Sequence, residues 1–122
     1  MNSLILTLDA GAGCCLPIAY QQLTQGALYA AWRGSYPQLH DEGFAGDGQT
    51  FRLFTFGPLE GRYRVQGNEI TFTGLVQLEV RSPVEDLLYA LGKSLTGAGA
   101  LRLGRCVLPL RDPRSAGHYW FA

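Results

Sequence analysis

The strongest constraint on the fold is the alternation of apolar and polar side chains in residues 75–81. Successive side chains of a strand point to opposite faces, so this segment has one apolar face and one polar face. Strands that are buried on both faces read instead as continuous apolar runs. The pattern therefore favours an antiparallel sheet with one face in water. The apolar residues are Val76, Leu78 and Val80, and the polar residues are Gln77, Glu79 and Arg81.

Two amphipathic helices are predicted on either side of this part of the chain. Residues 82–85, Ser-Pro-Val-Glu, read as a capping box with proline at the first helical position. The helix that follows ends at Gly97-Ala98-Gly99. An earlier helix is predicted from Pro17 to about Arg33, because proline suits a first turn and good helix formers follow it. The apolar stripe of the second helix is Val84, Leu87, Leu88, Leu91 and Leu95.

Further strands are predicted at residues 3–8, 51–56 and 100–110, with a hairpin formed by residues 62–65 and 69–73. The order of elements is then β, α, β, hairpin, β, α, β. Two helices that cover the same side of an antiparallel sheet satisfy this order and bury the apolar faces. We therefore expect an α+β fold, a ferredoxin-like βαββαβ sandwich with an extra hairpin.

Length and composition limit the domain organisation. A chain of 122 residues with 47% hydrophobic residues can build one ordinary core but is too short for two. We expect residues 1–110 to form the ferredoxin-like domain. Residues 111–122 are expected to be the start of a missing or truncated second domain, or a tail, because Tyr119-Trp120-Phe121-Ala122 reads like the beginning of a strand.

Targeting and cysteine patterns point to a reduced cytoplasmic protein. No apolar run approaches the roughly 20 residues of a membrane span, and Asp9 interrupts the apolar N-terminal stretch, so neither a membrane partner nor a signal peptide is expected. Cys14, Cys15 and Cys106 form no CxxC pair and have no ligands at metal-binding spacing. We expect reduced structural thiols, no metal site and a cytoplasmic location.

The charge is unevenly distributed although the formal net charge is zero. Residues 1–86 contain five arginines and nine acidic residues, whereas residues 87–122 contain five basic residues and one acidic residue. Arginine suits bidentate contacts with phosphate groups. An ordinary solvated surface is the alternative explanation for the basic C-terminal part.

Three side chains carry groups that can cleave RNA without a metal ion: Tyr29 on the first helix, His40 in the long polar connection and Arg52 on the aromatic strand. A histidine beside Asp41 and Glu42 can act as a general acid or base near neutral pH. The alternatives are a packed Tyr29 and a solvated His40. A buried Arg52 would need an anion or an open edge.

The aromatic strand has a second implication. Phenylalanines at 51, 54 and 56 put aromatic side chains on both faces of the strand. Core packing explains one face. The other face would need cover from a second domain, a partner or a ligand.

An ordered set of short motifs resembles the N-terminal half of the CRISPR repeat-processing endoribonucleases of the RAMP superfamily. The resemblance runs from Met1 to about Pro109. Each motif is loose, and their order carries the resemblance. The motifs are Leu16-Pro17 with Tyr20, Gln25-Gly26-Ala27-Leu28-Tyr29, Leu39-His40-Asp41, Phe51-Arg52-Leu53-Phe54-Thr55-Phe56 and Pro58-Leu59.

The resemblance implies two tandem ferredoxin-like domains and a cleaving trio of a helix tyrosine, a following histidine and a lysine at the start of the aromatic strand. Tyr29 and His40 match the first two positions, and Arg52 stands where the lysine is expected. It further implies metal-independent cleavage of CRISPR repeat RNA, in which the 2′-hydroxyl attacks and leaves a cyclic phosphate. No cofactor is implied.

The resemblance leaves several functions and partners open. The chain can be the catalytic half of such an endoribonuclease, which need not be active alone. It can also be a non-catalytic RAMP subunit that binds RNA in an effector complex, or a ferredoxin-like module for a small metabolite. Expected partners are repeat RNA and a C-terminal RAMP domain or other effector subunits, with a homodimer left open. Candidate RNA contacts are Arg33, Arg102, Arg105, Arg111 and Arg114.

Overall fold

The computed structural model describes residues 2–33 and 54–111 and the backbone of Tyr119–Phe121. Within these residues the chain forms eight strands and two helices. The helices are α1 (Gln21–Trp32) and α2 (Glu85–Ala98). The strands are β1 (Asn2–Asp9), β2 (Cys14–Pro17), β3 (Thr55–Phe56), β4 (Glu60–Gln66), β5 (Glu69–Ser82), β6 (Ala100–Leu103), β7 (Cys106–Pro109) and β8 (Tyr119–Phe121).

The main sheet is antiparallel and is built around the long strand β5. Strands β1 and β2 pair with one edge of β5, and β3 and β4 pair with its other edge. The free edge of β1 pairs with β8. The resulting order, β8–β1–β5 followed by β3 and β4, is the strand order of a ferredoxin-like domain. The predicted α+β, ferredoxin-like fold is therefore confirmed.

The alternation of β5 determines which face of the sheet is buried. Leu4, Leu6 and Leu8 of β1 lie opposite Val80, Leu78 and Val76, and all six side chains are buried. Both helices pack on this face. Their contact is fixed by the indole N–H of Trp32, which donates to the backbone oxygen of Leu87 at 2.7 Å. Polar side chains of β5 occupy the opposite face, called here the open face: Gln77, Glu79 and Arg81.

The start of the first helix was predicted wrongly. Pro17 is the last residue of β2, and α1 begins at Gln21. The segment becomes a strand because Cys14–Pro17 pairs with Glu69–Phe72 of β5. The amide of Ile18 adds a hydrogen bond to the backbone oxygen of Asn68 at 2.8 Å. This long-range pairing outweighs the local preference of proline for a helical first turn.

Residues 69–73 and 75–81 were predicted as two separate strands. This division is also wrong, since β5 runs unbroken through both ranges. Gly74 has a positive φ of 71° within the strand. Its amide donates to the oxygen of Gly11 at 2.9 Å, and its oxygen accepts from the amide of Ala10 at 2.8 Å. The turn between β1 and β2 is thereby held against the middle of β5.

The last predicted strand, residues 100–110, is a hairpin instead. Strands β6 and β7 form a separate two-stranded sheet, with Gly104 at a positive φ of 59° in the turn. The fourth strand of the ferredoxin-like sheet is β8, which pairs with residues Asn2–Leu4. The main sheet therefore extends past the predicted boundary at residue 110, and the second domain stays a prediction. No helix in the described ranges is long and apolar enough to cross a membrane.

A β-bulge between Gly61 and Arg62 gives a test of backbone packing. A Cβ atom on Gly61 would lie 2.7 Å from Cγ1 of Val76 and 2.8 Å from the backbone oxygen of Leu75. We expect Gly61→Ala to lower the free energy of unfolding by about 1–3 kcal/mol, because the neighbouring strand must shift.

Gly26→Ala is the matched control for Gly61→Ala. Gly26 lies within α1, and a Cβ there meets nothing within 4 Å. Alanine favours the helical backbone, so this variant should gain roughly 0.5–1 kcal/mol. Urea unfolding of both variants measures the difference. Equal stability of the two would contradict the close approach of β4 and β5.

Candidate functional site

Tyr29 lies in the second half of α1, where its ring is partly buried at the edge of the core. The ring contacts Phe54 edge-to-face, with centroids 5.5 Å apart and an interplanar angle of 77°. Phe54 also packs against Trp32 at 4.7 Å and stacks on Phe56 at 6.2 Å. These four residues, Tyr29, Trp32, Phe54 and Phe56, are called the aromatic cluster below.

The aromatic cluster fixes the C-terminal end of α1. Thr24, Leu28 and Trp32 recur every four residues and are buried, so they form the inner stripe of the helix. Tyr29 is one residue removed from this stripe and therefore lies at its border. Trp32 is fully buried and anchors the last turn to α2 through its indole hydrogen bond. The packing leaves the Tyr29 ring little freedom of position.

Two of the three predicted catalytic residues, His40 and Arg52, lie outside the described residues. The structure does place the two residues that flank this part of the chain. Arg33 caps α1, with its amide donating to the oxygen of Ala30 at 3.3 Å. Phe54 contacts the ring of Tyr29. Arg33 and Phe54, the described residues on either side of this segment, thus both lie at the C-terminal end of α1, near Tyr29.

The described members of the predicted RNA-binding arginines lie on several different elements. Arg33 is exposed at the end of α1, and Arg102 and Arg105 are exposed on β6 and on the turn before β7. Arg111 lies 3.8 Å from a carboxylate oxygen of Asp9 and is 63% exposed, so this ion pair is weak. Arg114 lies outside the described residues.

Two further exposed arginines were missed at the sequence level. Arg62 and Arg64 lie on β4 opposite Thr73 and Thr71 of β5, and both face the open side of the sheet. Tyr63 between them is 60% exposed and packs on the ring of Phe72 at 6.0 Å. The signal was present in the sequence, because residues two apart in a strand share a face.

The open face has a shallow cavity of about 360 Å³ over β5, lined by Ile5, Thr55, Glu60 and Gln77 and by an ion pair. In this pair Arg81 donates two hydrogen bonds to Glu79, at 3.0 and 3.2 Å. These bonds, and the charge of Glu79, raise the pKa of Arg81 further above its usual value. The two charges neutralise each other, so the cavity presents no net positive charge from this pair.

The expected second aromatic face stays a prediction, because Phe51 is the residue expected there. Phe56 pairs with Val80, a residue of the buried face, and Phe54 is buried in the aromatic cluster. Both lie on the helix side because they are two residues apart in sequence. Phe51, the third phenylalanine of that prediction, lies outside the described residues.

No metal centre is assembled in the portion of the chain that is described, since no three His, Cys, Asp or Glu side chains there are placed to hold an ion. The chemistry available near Tyr29 is that of a phenol at the edge of an apolar cluster.

Comparison with known proteins gives a relationship in structure only. No protein-family model matches the sequence, and no curated protein matches it. A solved structure of a CRISPR-associated protein Cas6 superimposes with a TM-score of 0.69 over 91% of this chain, at 22% identity. A Cas6-related protein from Pyrococcus furiosus gives 0.71 over 92% at 12% identity, and a RAMP protein that binds different RNA substrates gives 0.70 over 92% at 15% identity.

At 12–22% identity, these similarities show a shared ferredoxin-like fold. The structures that share it with this chain include a Cas6, a Cas6-related protein and a RAMP protein. The chain covers 46–47% of the length of those proteins, so it spans about half of each.

Proposed function

We propose that this chain is the catalytic half of a CRISPR-associated RAMP endoribonuclease that cuts repeat RNA without a metal ion. The shared fold of Cas6 structures supports this function. One similar structure belongs to a RAMP protein that binds different RNA substrates, which supports RNA as the ligand. The single observation that carries the catalytic part is the placement of Tyr29 beside both flanks, Arg33 and Phe54, of the segment that contains His40 and Arg52.

The proposed reaction uses the RNA as its own nucleophile. The ribose 2′-hydroxyl attacks the neighbouring phosphorus, and the bond to the 5′-oxygen of the next nucleotide breaks. The products are a cyclic phosphate and a free 5′-hydroxyl. One protein group must accept the proton of the 2′-hydroxyl, and another must donate a proton to the leaving oxygen.

His40 and Tyr29 share these two proton transfers in the proposal. An imidazole changes its charge near neutral pH and can serve as either acid or base. A phenol has a higher pKa and can donate a hydrogen bond or a proton to an oxygen that gains charge. Arg52 stays protonated and therefore only stabilises the negative charge of the phosphorane intermediate.

A second domain supplies the remaining RNA contacts in this proposal. The similar structures are about twice as long as this chain. The exposed arginines among the described residues lie on several elements, which suits an RNA that contacts the domain at several points. The C-terminal RAMP domain, or another effector subunit, would complete the binding surface.

A non-catalytic RNA-binding subunit is the second candidate function. The observation in its favour is Arg52, which stands where the resemblance leads us to expect lysine. The test is to incubate end-labelled repeat RNA with the full product of the gene in EDTA. Cleavage to a cyclic phosphate supports the endoribonuclease, salt-sensitive binding without cleavage supports the subunit, and absence of binding rejects both.

The arginine contacts predict a change in the salt dependence of binding. Arg102→Gln with Arg105→Gln should weaken repeat-RNA binding and lower the slope of log affinity against log salt by about 1.4, because each lost phosphate contact on a single strand contributes about 0.7. Fluorescence anisotropy at several salt concentrations measures this slope.

Lys93→Gln is the matched control for charge, since Lys93 is exposed on α2 and is not among the proposed contacts. It should leave the slope unchanged. If the double arginine variant behaves like the Lys93 variant, the hairpin β6–β7 does not contact RNA phosphates.

A further inference from the structure

Three cysteines from distant parts of the sequence meet where β2 passes β7. Cys14 and Cys15 lie on β2, and Cys106 begins β7. All three thiols are free. The Sγ atom of Cys106 donates a weak hydrogen bond to the backbone oxygen of Cys15 at 3.7 Å. The thiol of β7 therefore lies directly against the backbone of β2.

The two β2 thiols point to opposite faces of the sheet. Cys14 lies opposite Phe72 on the buried face and is 2% exposed. Cys15 lies opposite Thr71 on the open face and is exposed. Cys106 packs against the core that contains Cys14. The side chain next to that of Cys106 is thus Cys14, whereas Cys15 contacts Cys106 through its backbone oxygen.

Cys14 and Cys106 differ in their access to solvent. Burial, and then a side-chain hydrogen bond with Cys106, raise the pKa of the Cys14 thiol to about 12. Cys14 is accordingly shielded from solvent and lies against the Cys106 side chain. Cys106 is partly exposed and lines an open cavity of about 770 Å³ together with Cys15, Leu23 and Arg105. A small oxidant in this cavity can therefore reach Cys106 before Cys14.

We propose that Cys106 is an oxidation site for hydrogen peroxide and that Cys14 is its resolving partner, so that the two close a disulfide between β2 and β7. In the first step the sulfur of Cys106 attacks one peroxide oxygen and the O–O bond breaks. This step gives a sulfenic acid and one water. In the second step the sulfur of Cys14 attacks the sulfur of Cys106, the S–O bond breaks, and the hydroxide leaves with the Cys14 proton as water.

The balanced reaction is two thiols and one peroxide giving one disulfide and two waters. Peroxide is reduced, and the two sulfurs are oxidised by two electrons in total. The new bond would fasten the hairpin β6–β7 to the main sheet, because Cys106 and Cys14 belong to different sheets. This proposal does not depend on any RNA activity.

The test is peroxide treatment of the reduced protein, followed by alkylation of free thiols and mass spectrometry of the peptides. We expect a linked pair of peptides that contain Cys14 and Cys106, reversible by dithiothreitol, in both the unaltered protein and the Cys15→Ser variant. A cross-link across so long a stretch of chain should also raise the melting temperature by about 10 °C.

Cys14→Ser is the control that tests whether Cys14 reacts with oxidised Cys106. Without Cys14, Cys106 should pass to sulfinic acid under the same peroxide dose, and the melting temperature should not rise. The proposal would be overturned by a link from Cys106 to Cys15, by sulfinic acid at Cys106 while Cys14 stays alkylatable, or by a Cys106 that does not react.

Discussion

His40→Ala should slow the cleavage of repeat RNA by about 10²–10⁴-fold, because a positioned general acid or base contributes that much to the rate. The rate is measured in single turnover with saturating protein in EDTA, so that weaker binding does not enter. Tyr29→Phe should also slow cleavage, since it removes the phenolic hydroxyl while it keeps the ring that packs on Phe54. A large loss in this variant would reflect chemistry rather than unfolding.

The chain contains one other histidine, His118, which gives a matched control. His118→Ala removes the same group from a residue with no proposed role, and its cleavage rate should equal that of the unaltered protein. If His40→Ala also cleaves at that rate, His40 takes no part in the reaction. A group other than His40 would then have to share the two proton transfers with Tyr29.

Trp32→Ala should lower the free energy of unfolding by about 3–5 kcal/mol, the range for deletion of a large buried aromatic side chain. Trp32 is fully buried, packs on Phe54 and donates to the oxygen of Leu87. The substitution leaves a cavity between α1 and α2 and loses the hydrogen bond that joins them. Urea unfolding, with the slope compared between variants, measures the loss.

Trp32→Phe separates packing from the hydrogen bond. It keeps an aromatic ring in the cluster but removes the indole N–H, so it should lose less, about 1–2 kcal/mol. Val107→Ala is the surface control, because Val107 is 52% exposed, and it should change stability by less than about 0.5 kcal/mol. A Trp32→Ala variant within 1 kcal/mol of the unaltered protein would contradict the account of the core.

The predictable part of the fold was the part with strong local periodicity. The alternation of residues 76–81 identified the buried face of β5, and the structure places Val76, Leu78 and Val80 there. The end of α2 was also readable, since Gly99 adopts the left-handed conformation with a φ of 78° and caps the helix. These features depend on residues that are close in sequence, so local sequence patterns predict them.

Other elements were missed for identifiable reasons. The strand β2 forms because Cys14–Pro17 pairs with Glu69–Phe72. A local pattern of four residues does not predict such a long-range pairing. The β6–β7 hairpin did have a signal, because Gly104 is the first of two turn residues and glycine is favoured there. Reading residues 100–110 as a single strand overlooked this signal.

Of the three proposed catalytic residues, Tyr29 alone lies among the described residues. Tyr29 could be placed on the first helix from the sequence. Its contact with Phe54 is tertiary and joins residues 25 positions apart, so it could not be read from spacing. The catalytic roles of Tyr29, His40 and Arg52 stay predictions.

The most direct test of the central claim compares two repeat RNAs in EDTA: one fully ribose, and one with a single 2′-deoxyribose at the nucleotide before the scissile phosphate. We expect the full product of the gene to cut the first RNA to a cyclic phosphate and a 5′-hydroxyl. The second RNA should be bound with the same affinity and stay intact. Cleavage of the deoxy-substituted RNA at that position, or cleavage of either RNA only after Mg²⁺ is added, would contradict a reaction driven by the 2′-hydroxyl and by side chains alone.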